Sequence, residues 1–238
     1  MKTLGIDLAS QHTGTATCRI LWEGKVARIE EVEEGVGDER LKELLADPGY
    51  GWIGIDVPLG WPDRFVQALQ FHRNGQAWPQ VAARELTHRA TDRWLIHNLR
   101  IYPLGVSTDR IAYPAMRAAA LTTGMARDGS ARLVDVYPAA ALNIWGLQSQ
   151  QYKRLAGRSA LSDIIGTLRE RAPWLVAEAR SWRAFQASDH AFDALVAALI
   201  ARAHARGLCH PIPDEDRDAA SREGWISVPK CGLEELEG

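Results

Sequence analysis

The chain has 238 residues, of which 46% are hydrophobic, and a formal net charge of −2. That length suits one large domain or one domain with a sizeable insertion, and the near-neutral total excludes a chain that is basic throughout. No apolar run is long enough to cross a membrane, the start shows no secretory pattern, and Cys18, Cys209 and Cys231 are too few and too scattered for a disulfide framework or zinc knuckle, so a reducing cytoplasm is the expected setting.

Residues 2–8 read as a short buried strand carrying Asp7 near its end. The stretch from Ala9 to Gly14 is a polar turn, residues 15–22 form a second strand, and a tight Glu23-Gly24-Lys25 turn leads into a third over 26–32. Asp38 is placed to cap a helix running through Leu45, which Pro48-Gly49 breaks. Residues 52–57 make a fourth strand, with Asp56 just before Pro58. The first three strands form an antiparallel meander, and a right-handed helical crossover makes the fourth parallel to the first. Asp7 and Asp56 then reach the same sheet edge, where ligands of open sheets bind.

Residues 62–126 read as a helical insertion or cap interrupted by Pro79, Pro103 and Pro114. The stretch from Arg132 to Tyr137 is a fifth strand, with Asp135 near its end. Helices are expected over 139–147, 159–171 and 188–206, the last with a small-residue face for close packing. Residues 211–238 form a C-terminal extension whose Glu223-Gly224-Trp225-Ile226 segment folds back on the core. The fold class is α/β: one domain over 1–238 with a mixed five-stranded sheet, a three-strand antiparallel meander plus parallel strands, flanked by helices. Charge is segregated along it, with arginines gathered between 84 and 117 and a second basic stretch from Lys153 and Arg154 to Arg171. These are either a surface for a phosphate backbone or ordinary solvated helix faces.

Three aspartates end or open the most hydrophobic runs: Asp7, Asp56 and Asp193. Carboxylates gathered without cations either hold protons or bind a hard divalent metal ion. Asp189 and Asp193, four apart, share one face at the start of the last helix, with His190 between them. The expected metal ligands are Asp7, Asp56, Asp193, Asp135 and Asp189, and the expected ion is Mg2+ or Mn2+. His190 joins Asp7, Asp56 and Asp193 as a candidate catalytic group, and Ser10, Arg89 and Trp61 are candidate substrate contacts. Each has a plainer alternative. Asp7 could bond the amides of the Ala9–Gly14 turn, and Asp56 could cap a turn. Asp189 could cap the last helix, and Asp135 could pair with an arginine of the insertion. Arg89 could pair with Asp92, and His190 and His12 could be surface histidines.

Six motifs carry a family resemblance. They are Gly5-Ile6-Asp7, the run from Ile55 to Pro62, Arg89-Ala90-Thr91-Asp92, Val136-Tyr137-Pro138-Ala139-Ala140, the run from Asp189 to Leu195, and Glu223-Gly224-Trp225-Ile226. Together they resemble the predicted ribonuclease-H-like nucleases (domain of unknown function, family four hundred and twenty-nine), over nearly the whole chain. Asp7 and the Asp193 helix also look like Holliday-junction resolvases. The resemblance implies a ribonuclease-H-like sheet with acidic metal ligands at its edge. Relatives usually place a glutamate just before the Tyr-Pro motif, whereas this chain has the shorter Asp135 two positions ahead of Tyr137.

The leading functional expectation is a divalent-metal-dependent nuclease or phosphodiesterase acting on a nucleic acid or nucleotide, away from membranes. One alternative is a nucleotide-binding protein of the actin and sugar-kinase type, because the stretch from Asp7 to Gly14 loosely resembles its phosphate hairpin. The other is a non-catalytic adaptor that binds a partner or nucleic acid through the basic insertion.

Overall fold

A computed structural model describes residues 1–107, 109–149, 151–153 and 158–237. Arg154, named above in the basic stretch, lies outside these. The fold is α/β, with a mixed sheet flanked by helices. The described residues contain seven strands in the order β6-β3-β2-β1-β4-β5-β7: β1 Lys2–Asp7, β2 Ala16–Glu23, β3 Val26–Glu34, β4 Trp52–Asp56, β5 Leu133–Val136, β6 Leu175–Val176 and β7 Ile226–Ser227. The five expected strands are β1 to β5. The two extra strands are two residues long each, too short to show any alternation in the sequence.

The helices in chain order are α1 Asp38–Ala46, α2 Asp63–Arg73, α3 Ala83–Thr87, α4 Ala90–Leu99, α5 Asp109–Leu121, α6 Pro138–Ile144, α7 Arg158–Arg171, α8 Ala179–Ala187, α9 Asp189–Ala205 and α10 Arg217–Glu223. Two expected caps fall one residue early. Gly37 rather than Asp38 caps α1, and Ser188 rather than Asp189 caps α9, its hydroxyl oxygen accepting from Ala191 N at 3.2 Å. Each aspartate is instead the first helical residue, where its charge favours the positive end of the helix.

The chain divides into two compact units. The first comprises Met1–Asp56, Val136–His210 and Ser227–Gly238, and the second Val57–Asp135 and Pro211–Ile226. In the first unit, β1 pairs antiparallel with β2 and parallel with β4, and β2 pairs antiparallel with β3. The parallel register sets Gly5 beside Gly54 and Asp7 beside Asp56.

Helix α9 packs on β1, β4 and β2, and 12 of its 17 residues are buried. A helix apolar all round belongs inside a core. What lets it lie so close to the sheet is the Gly5–Gly54 pair. A Cβ at Gly5 would fall inside the backbone of Ala194 and Ala198, and one at Gly54 inside the carbonyl of Ala197. The helix presents alanines there, and the strands present no side chain, so backbone meets backbone. This seating fixes where Asp193 emerges.

The second unit is held by two motifs that grip each other. In the Arg89–Asp92 motif, the Asp92 carboxylate takes the Arg89 amide at 2.8 Å and the guanidinium at 3.1 and 3.2 Å. Thr91 Oγ1 accepts the Ile226 amide at 3.0 Å. From the other motif, Glu223 accepts the first amide of α2, Asp63 N, at 2.8 Å, and the first amide of α4, Ala90 N, at 2.5 Å. One buried carboxylate thus satisfies the starts of two helices. Gly224 has φ +80° and lies against Arg89 Nη1, so a side chain there would meet both strain and the guanidinium. No helix among the described residues is long and apolar enough to cross a membrane.

Candidate metal centre

Asp7 and Asp56 stand side by side at the carboxyl ends of parallel neighbours, and Asp193 comes to them from the first turns of α9. Each of the three offers a carboxylate oxygen, and these oxygens lie within 4.8 Å of one another. Asp193 is 1% exposed, and Asp7 is also buried. Three hard oxygen donors of this kind suit Mg2+, Mn2+ or Ca2+ rather than zinc or copper.

Three further side chains from the same unit close on the cluster. His190 Nδ1 lies 2.6 Å from Asp7 Oδ2, and its ring stands over Gly14. The Tyr152 hydroxyl donates to Asp193 Oδ1 at 2.6 Å, and Lys153 Nζ lies 2.6 Å from Asp193 Oδ2. Burial pushes the Asp7 carboxyl up to about 6, Asp193 adds to the rise, and His190 and Lys153 oppose it. The hydrogen bond to Asp7 raises the His190 imidazole against the opposing effect of burial. Burial, joined by the Asp193 carboxylate, raises the Tyr152 hydroxyl and keeps it a donor. Burial alone would lower Lys153, but Asp193, Asp56 and Asp7 outweigh it and hold the ammonium charged.

Tyr152 and Lys153 are absent from the expected site. They lie in the stretch between α6 and α7, where no periodicity or motif singles them out. Lys153 opens the second basic stretch of the sequence, but nothing in the order of residues aims it or Tyr152 at the carboxylates.

The remaining expected residues fall elsewhere. Asp135 is not among the converging carboxylates. It is buried in the second unit, where Arg89 Nη1 meets its Oδ2 at 2.5 Å and Leu59 N donates to the same oxygen. Arg89 is no exposed phosphate clamp. It is 2% exposed and committed to Asp92, Asp135 and the Glu223 carbonyl. Both pairings are the plainer alternatives that the residues allowed. Asp189 is half-buried beside His190 in the first turn of α9. Ser10 is exposed in the turn that follows β1, and Thr15 Oγ1 accepts that turn's Ala9 amide. Trp61 lines an apolar surface groove with Phe65, Val66, Leu69, Gln70 and Arg73 in the second unit.

Burial raises the Asp135 carboxyl to about 6, with Arg89 pulling down and Asp92 pushing up. A carboxyl raised in the folded state binds its proton more tightly there than in the unfolded chain. Its contribution to stability is therefore present at low pH and is lost as pH climbs from about 4 through about 6. Asp135→Asn keeps the oxygen acceptor and removes this titration. Urea unfolding between pH 4 and 7 should show the wild type losing on the order of 2 kcal/mol more than the variant across that window.

The chain matches, over residues 5–218, the model of a family described as Protein of unknown function (DUF429). No curated protein and no solved structure matches it. The match spans most of the chain and takes in both the carboxylate cluster and the Arg89 motif, so the protein belongs to this DUF429 family.

Proposed function

We propose that the protein is a divalent-metal-dependent phosphodiesterase of the ribonuclease-H-like type, acting on nucleic acid. The convergence of Asp7, Asp56 and Asp193 from two strands and a helix carries this reading. Asp7 and Asp193 are buried and Asp56 is partly so, and gathering ionised carboxylates in such a place costs folding energy that a bound cation offsets. Asp7, Asp56 and Asp193 would hold Mg2+ or Mn2+. When bound, such an ion supplies Lewis-acid polarisation of a phosphodiester and a nucleophile at neutral pH. Asp7 orients the His190 ring through Nδ1, so a proton exchanged with substrate would pass through Nε2. Tyr152 holds the Asp193 carboxylate in one orientation.

The test is cleavage of labelled single- and double-stranded DNA and RNA with Mg2+, with Mn2+ and with chelator. Cleavage should require the ion. In Asp7→Asn it should fall by about 100-fold or more, since even outer-shell partners of a metal ligand are worth about 10–100-fold. The circular dichroism melt should stay close to wild type. Absence of cleavage of every substrate, together with no divalent ion bound in calorimetry, would overturn the reading.

A further inference from the structure

Helix α2 of the second unit carries its apolar residues on the wrong side for a core. Ala68 is its one buried residue, whereas Val66 is 43% exposed and Leu69 48%. Val66, Leu69, Gln70 and Arg73 follow at helical spacing, so they share one face. With Trp61 and Phe65 they wall a surface groove of about 290 Å³. Trp78, itself largely exposed, returns to the same end of the helix, where its ring meets His72 edge-on at 6.3 Å. An exposed apolar patch with a polar rim marks a contact surface.

Charge and shape select the occupant. From Arg64 to Arg84 the chain has three arginines and no aspartate or glutamate. Asp63, at the start of α2, and Asp218 of α10 are both paired with Arg222. Arg73 is exposed, and its guanidinium has no bonded partner among the described residues. The segment therefore calls for an anion. A second copy docked face to face would set arginine against arginine with no carboxylate of the segment between them. The groove also falls just short of the about 300 Å³ at which small-molecule sites begin. That admits a flat ring system rather than the row of anchors on an amphipathic helix. A lipid surface takes up apolar side chains that protrude, and these line a groove. A flat ring carried on an anionic chain describes a nucleobase with its phosphate, and aromatic walls beside arginine are how single strands are held.

We infer that this groove holds an unstacked base of a single-stranded polynucleotide, with Arg73 on the adjoining phosphate. A base inside a duplex would first have to be extruded at the cost of its pairing and stacking. The inference rests on the phosphodiesterase reading and deepens it by naming the substrate as single-stranded. The second unit then supplies the grip and the first unit the carboxylates.

The experiment is fluorescence anisotropy of end-labelled oligothymidine, oligouridine and a mixed-sequence DNA strand, the last both free and as a duplex. The full chain is used in chelator, so that neither a divalent ion nor cleavage enters the result. Trp61→Leu keeps apolar bulk but removes the ring, Leu69→Gln removes the apolar contact, and Arg73→Gln removes the charge. Circular dichroism melts confirm that each is folded. Wild type should bind the free strand at least about tenfold more tightly than the duplex, and each variant should weaken strand binding by about fivefold or more. Arg73→Gln should also flatten the dependence of log affinity on log salt by about 0.7. Asp7→Asn and Arg180→Gln, the latter an exposed arginine of α8 in the first unit, should bind the strand as wild type does. No strand binding by wild type, equal binding of the duplex, or three groove variants that bind like wild type would overturn the inference. So would phosphatidylserine vesicles that sediment wild type but not Leu69→Gln, which would assign the groove to a lipid surface. A wild-type dimer that Leu69→Gln turns into a monomer would assign it to a second copy and overturn the inference likewise. Strand binding that depends on the groove, with no cleavage under any divalent ion, would support the groove and overturn the phosphodiesterase reading instead.

Discussion

Gly5→Ala should destabilise the protein by upwards of about 3 kcal/mol, although it adds only one methyl group. The new Cβ has no side chain to push aside. It meets the backbone of Ala194 and Ala198, so α9 would have to lift off β1 as a body. Gly54→Ala should do the same through the Ala197 carbonyl. The control is Gly166→Ala. Gly166 sits in α7, where a Cβ meets nothing within 4 Å, so that variant should gain up to about 1 kcal/mol from helix propensity. Urea denaturation of the three variants separates the cases. Near-wild-type stability for Gly5→Ala would mean that α9 is not seated as described. Because the same contact carries Asp193 to Asp7 and Asp56, any folded fraction of Gly5→Ala should also bind Mn2+ more weakly than wild type.

Removal of the Arg89 guanidinium should cost about 3–5 kcal/mol, the penalty of stranding a buried charge partner. In Arg89→Met the volume is largely kept, but Asp92 and Asp135, each about 1% exposed, lose their shared cation. Asp135→Asn removes one of those charges, so the double variant Arg89→Met, Asp135→Asn should recover part of the loss. A double-mutant cycle by chemical denaturation reads that coupling. Strict additivity would show that the pair seen between Arg89 and Asp135 contributes nothing. The variant also distinguishes a structural arginine from a phosphate clamp. A clamp would weaken substrate binding and leave the melting temperature alone, whereas buried Arg89 should lower the melting temperature.

The amino-acid order makes part of this architecture readable, and physical reasons mark where reading stops. Alternation of apolar residues and the turn at Glu23-Gly24-Lys25 locate the meander, and the helical crossover then forces Asp7 and Asp56 into adjacent register. Asp193 is conspicuous because it opens the apolar stretch of α9. The strands β6 and β7 are too short for periodicity to register, and the helices expected from the sequence do not include α8. The Arg89–Asp92 and Glu223–Ile226 motifs look like site chemistry in one dimension. Whether an arginine faces solvent or a buried carboxylate depends on its tertiary neighbours, and here it has two buried carboxylates at hand. Tyr152 and Lys153 pose the opposite problem. They are ordinary residues whose importance comes only from what α9 places opposite them.

The double hold of Glu223 on the first amides of α2 and α4 has a consequence for biosynthesis. Ribosomes deliver the chain from its amino end, so both helix starts emerge long before the carboxylate that satisfies them. Until Glu223 is released, the middle of the nascent polypeptide must wait with two helix origins open to water or to a chaperone. Completion of that unit should therefore be a late event, and truncations just ahead of Glu223 should yield a protease-sensitive product rather than a slightly shorter native one.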